Sequence, residues 1–68
     1  MNEEAFNWSV RKFLKNFGVS AQREIEKSVA AALSAGTLKG TETLQARARL
    51  EIQGLPMNLV IEQDITLA

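Results

Sequence analysis

Trp8 stands three, four and seven residues before Arg11, Lys12 and Lys15 in "FNWSVRKFLKNFG". On a helix those separations gather one indole and three cations on a single face. Such a face can hold an ammonium over the aromatic ring, and its mix of aromatic and cationic groups is that of protein-interface hot spots. A second set, Gln22, Arg23, Lys27 and Ser34 with Arg47 and Arg49, carries the side-chain types that reach base edges and phosphates. Chemistry on substrates is poorly provided for. Histidine, cysteine and tyrosine are absent, so a serine–histidine pair, a thiolate nucleophile and a phenolic acid are all excluded. The eight carboxylates are scattered, with no spacing of a calcium loop or a two-carboxylate site. The sequence therefore predicts no catalytic residue, no metal site and no cofactor.

The elements that must position these residues follow from periodicity. Asn2 is a helix cap, with Glu3 and Glu4 near the positive end of the helix dipole. Phe6, Val10, Phe13, Leu14 and Phe17 then fall in one apolar arc about 100° wide. Trp8 is rotated about 200° from Phe6, so it is expected on the basic, outward face. Gly18 is expected to end this helix in a left-handed conformation. Ser20 would cap a second helix with its own arc of Ile25, Val29, Ala32 and Leu33, closed by Gly36. Thr37 to Thr41 reads as a loop, with Leu38 folded back on the core.

From Leu44 the period changes to two. Leu44, Ala46, Ala48, Leu50 and Ile52 alternate with polar residues, "GLPM" breaks the run, and alternation resumes through Met57, Leu59, Ile61 and Ile65. Matching the apolar faces pairs Leu50 with Leu59, Leu44 with Ile65 and Arg47 with Glu62. A two-residue slip would need a Leu55-Pro56 turn that proline disfavours. The predicted fold is α+β (ααββ) over a single small domain, residues 1–68. A two-helix helix-turn-helix precedes a C-terminal antiparallel β-hairpin, and the helices pack on one face of the hairpin. Both sheet edges stay open, which offers a route to a homodimer.

Charge and composition narrow the partners. Eight basic and eight acidic residues cancel, with a mild +2 over residues 1–40 and −2 over the rest, so no net field draws the chain to nucleic acid or anionic lipid. The absence of cysteine suits a reducing compartment, and the acidic start "MNEEAFNW" does not read as a secretory leader. A cytoplasmic, non-enzymatic protein with an unknown protein partner and no membrane role is expected.

The stretch "FLKNFGVSAQREIEKSVAAALSAGTLKG" resembles the second and third helices of winged-helix DNA-binding domains, with Leu44 to Leu67 as the wing. That resemblance implies DNA contacts by Gln22, Arg23, Lys27, Ser34, Arg47 and Arg49. Over "NEEAFNWSVRKFLKNFGVSAQREIEK" and "LKGTETLQARARLEIQGL" the chain resembles a family of small, mostly proteobacterial proteins of unknown function. That likeness covers nearly the whole length. It implies a stand-alone protein and brings no activity, cofactor or catalytic residue with it.

Overall fold

Asn2 opens the first element of the computed structural model, which describes residues 1–68. Its backbone is extended, and its side-chain oxygen accepts a hydrogen bond from the Ala5 N–H at 3.1 Å, so the first turn is capped. Glu3 and Glu4 occupy that turn, where the dipole favours them. From here a single helix, α1, runs from Glu3 to Ala35, 33 residues or about 50 Å.

The expected break at Gly18 does not occur. Gly18 is not among the glycines with positive φ, and the helix passes through it and through Ser20 without a turn. A glycine inside a helix costs about 1 kcal/mol relative to alanine. Breaking the helix there would strand four carbonyl groups at the new C-terminal end and four N–H groups at the new N-terminal end, and no proline enforces the break. The helix-turn-helix is therefore corrected to one helix, and the winged-helix reading falls with it. The two apolar arcs that suggested two helices are real, but they lie on one cylinder, their centres about 100° apart.

Helix α1 ends where glycine is needed. Gly36 takes φ 79° and ψ 8°, and its N–H donates to the Leu33 carbonyl at 3.2 Å while the Thr37 N–H reaches the Ala32 carbonyl at 3.0 Å. This is the Schellman closure, and the Thr37 hydroxyl adds a bond to the same Ala32 oxygen at 3.1 Å.

Two strands follow, β1 (Thr43–Leu50) and β2 (Leu59–Thr66), paired antiparallel. The register sets Leu44 opposite Ile65, Arg47 opposite Glu62 and Leu50 opposite Leu59, the one that apolar-face matching selects. The Leu67 N–H extends the ladder to the Glu42 carbonyl at 3.0 Å. At the far end Gly54 sits at φ 92° and the Leu55 N–H bonds to the Ile52 carbonyl at 3.1 Å, the type II turn in which the third position needs positive φ. Leu44, Ala46, Leu50 and Ile65 are half-buried on one face of the ribbon.

The chain divides into two compact units, Met1–Thr37 and Leu38–Ala68. No side chain in either is buried. The expected pair of helices is corrected to one, since there is no second helix, and Leu38 is half-buried while no side chain of its unit is fully buried. Helix α1 is long but not apolar enough to cross a membrane.

Candidate functional site

The sharpest constellation lies on the N-terminal half of α1. Trp8 is 64% exposed, and the Lys12 ammonium stands 5.4 Å from its ring centroid. Arg11 and Lys15 complete the rim of a shallow depression of about 250 Å³ lined by these four residues. Only local helix geometry is needed to bring them together, since one turn separates Trp8 from Lys12 and another carries the rim to Lys15. An indole held partly under an ammonium, beside two further cations, offers apolar area and positive potential to the same visitor. An acidic or aromatic side chain presented by another protein fits both.

The opposite side of the same segment is apolar. Phe6 and Phe17 are each 53% exposed, and the Phe13 and Phe17 rings stack at 6.5 Å with 20° between their planes. This aromatic pair, one turn apart, is the bulkiest apolar group on the unit.

The second predicted set is divided between the two units. Gln22, Arg23, Lys27 and Ser34 lie on the continuous helix, with no turn to present them as a reading helix. The Gln22 amide donates to the Glu26 carboxylate at 3.4 Å. Arg47 and Arg49 belong to the other unit, and each faces a carboxylate. Arg47 is paired with Glu62, its Nε and Nη2 both 3.2 Å from Oε1, and Arg49 lies 3.9 Å from Glu51. Those pairings offset the positive charge that phosphate recognition requires.

One arrangement escaped the sequence reading. The Glu42 carboxylate accepts hydrogen bonds from the N–H groups of Lys39 at 2.8 Å, Gly40 at 2.9 Å and Thr41 at 3.2 Å. Gly40 permits the concave loop through φ 99°. The Lys39 N–H bond is the largest effect and lowers the carboxyl below its ordinary value; desolvation opposes it, and the N–H groups of Glu42, Gly40 and Thr41 add to the lowering. Successive backbone N–H groups of this kind form an anion cradle, and here the chain's own carboxylate fills it. The signal in "LKGTE" is only a glycine two residues before an acid, too common to single out. The cradle fixes the start of β1 and is not a free binding site.

No group of three or more acidic, histidine or cysteine side chains is arranged to hold a metal ion. No curated protein and no solved structure matches the chain. The match that exists is to a family of unknown function (DUF6494), whose model spans residues 1–68, and the chain belongs to that family.

Proposed function

We infer that this protein is a non-enzymatic interaction module that recruits a protein partner through the basic face of α1. The observation that carries this reading is Trp8, 64% exposed, with the Lys12 ammonium 5.4 Å from its centroid and Arg11 and Lys15 on the same rim. Leaving the one tryptophan in water forgoes much of the favourable burial its ring could supply. A partner surface that covers it recovers that term, and the three cations favour a partner with acidic groups around the contact. The residue inventory supports the non-enzymatic reading, since it lacks the usual nucleophiles and proton-transfer groups, and Glu42 is displaced away from the neutral range. The cysteine-free composition suits a cytoplasmic setting.

The test is capture followed by a defined binding measurement. Wild-type chain and Trp8→Ala are immobilised in parallel, proteins retained only by wild type are identified, and each is purified and titrated by calorimetry. The reading holds if a purified protein binds stoichiometrically and Trp8→Ala or Lys12→Glu weakens it by roughly tenfold or more, as expected for a hot-spot residue. Equal binding by both variants overturns it.

A further inference from the structure

We propose that α1 pairs with α1 of a second copy of this chain, antiparallel, about a two-fold axis between residues 17 and 18. This concerns the apolar face and goes beyond the recruitment reading, which uses the adjoining basic one, with Arg11 at the margin between them.

The apolar side of the helix is built from two runs of i+4 spacing, Phe6-Val10-Leu14-Gly18 and Phe17-Ala21-Ile25-Val29. The second run is the first shifted by eleven residues, and an eleven-residue repeat turns only about 20° around a helix between copies. One band, about 140° wide, thus serves most of α1. The band also maps onto itself when the chain is reversed: Phe6 exchanges with Val29, Val10 with Ile25, Leu14 with Ala21 and Phe17 with Gly18. A two-fold contact requires the same patch on both partners, and for antiparallel helices that means a sequence pattern symmetric about the axis. Near the middle of the band, large Leu14 then lies level with small Ala21. The Phe13–Phe17 pairs of the two copies adjoin on one flank, and the two Gly18 backbones meet on the other.

Gly18 has no explanation inside the chain. Its backbone is helical, which any residue adopts, and an added Cβ would meet nothing within 4 Å. Close approach of another helix is a reason to omit a side chain there.

The side chains of the band are open: Phe6, Val10, Leu14, Phe17 and Ile25 are each between 39% and 53% exposed. A second copy of the same band matches it level for level, which is what a two-fold contact requires.

The experiment uses the full chain. Analytical ultracentrifugation should give twice the 7.5 kDa chain mass at micromolar concentration. Leu14→Lys, which keeps helix propensity but puts a charge mid-band, should weaken association by roughly tenfold or more. Trp8→Lys, on the outer face, should leave it intact. The chain has no cysteine, so single variants report orientation: a mixture of Val10→Cys and Ile25→Cys should cross-link to a mixed dimer, while Val10→Cys alone should not. A monomer throughout, meaning the chain covers the band itself, overturns the proposal. So does a dimer that survives Leu14→Lys, as strand-edge pairing would, or a Val10→Cys homodimer, which is the parallel arrangement. None of these outcomes bears on whether Trp8 recruits a partner.

Discussion

Lys12 lies one helical turn beyond Trp8 with its ammonium 5.4 Å from the indole centroid, so the chain's one tryptophan is both solvent-facing and flanked by positive charge. Charge next to a fluorophore changes which quenchers reach it. Iodide should quench Trp8 efficiently, and Lys12→Glu should lower the iodide constant while leaving the neutral quencher acrylamide unaffected. Stern–Volmer titration of the two proteins with both quenchers checks this. The same substitution should change thermal stability by less than about 1 kcal/mol, the usual scale of an exposed cation–π contact.

Gly18 distinguishes one helix from two by the sign of a single substitution. In a helix interior, Gly18→Ala should stabilise by about 0.5–1 kcal/mol and make the ellipticity at 222 nm more negative. Were Gly18 a left-handed terminus, the same change would destabilise. Circular dichroism of the full chain at high dilution, with and without the substitution, measures the difference.

Glu42 gives the Lys39–Thr41 loop a defined pH response. Its folded pKa is depressed, first by the Lys39 N–H, so the stabilisation is complete above the ordinary glutamate value and is lost as pH falls through the lower, folded value. Amide resonances of Lys39, Gly40 and Thr41 should shift together over that acidic window, and their exchange protection should fall. In Glu42→Gln the shared titration should be absent. NMR across the pH series settles both points.

The Arg47–Glu62 pair tests the hairpin register. Both side chains are well exposed, so removing either should cost less than about 1 kcal/mol. Arg47→Glu opposes two carboxylates across the strands and should destabilise β1–β2, while the exchange Arg47→Glu with Glu62→Arg should restore most of the loss. Denaturant melts of the single and double variants provide the cycle.

The hairpin was legible because its signals are local and agree. A period of two assigns the faces, an apolar face fixes register to within two residues, and Pro56 decides between the remaining options. The Trp8 face was legible for a similar reason, since neighbours at i+3, i+4 and i+7 meet on any helix. Helix number was not legible. Gly18 followed by Ser20 carries stop and start signals, and the two arcs look like two helices until their i+4 rows are seen to run continuously from Phe17 through Ala21 to Ile25. Local punctuation lost to the cost of exposing backbone groups in mid-helix. The helix-turn-helix that was to present Arg23 and Lys27 fell for the same reason, because it presupposed the turn. The Glu42 cradle depends on backbone angles at three consecutive residues, which no side-chain pattern encodes.

The ribbon formed by β1 and β2 has consequences at high concentration. Each of its outer rims carries unsatisfied main-chain groups, and any strand that docks on one rim brings a bare rim of its own. Growth of that kind has no terminating step, in contrast to a contact that closes on itself. Crowded or heated solutions of this chain should therefore thicken into fibrils seeded by the carboxy-terminal third.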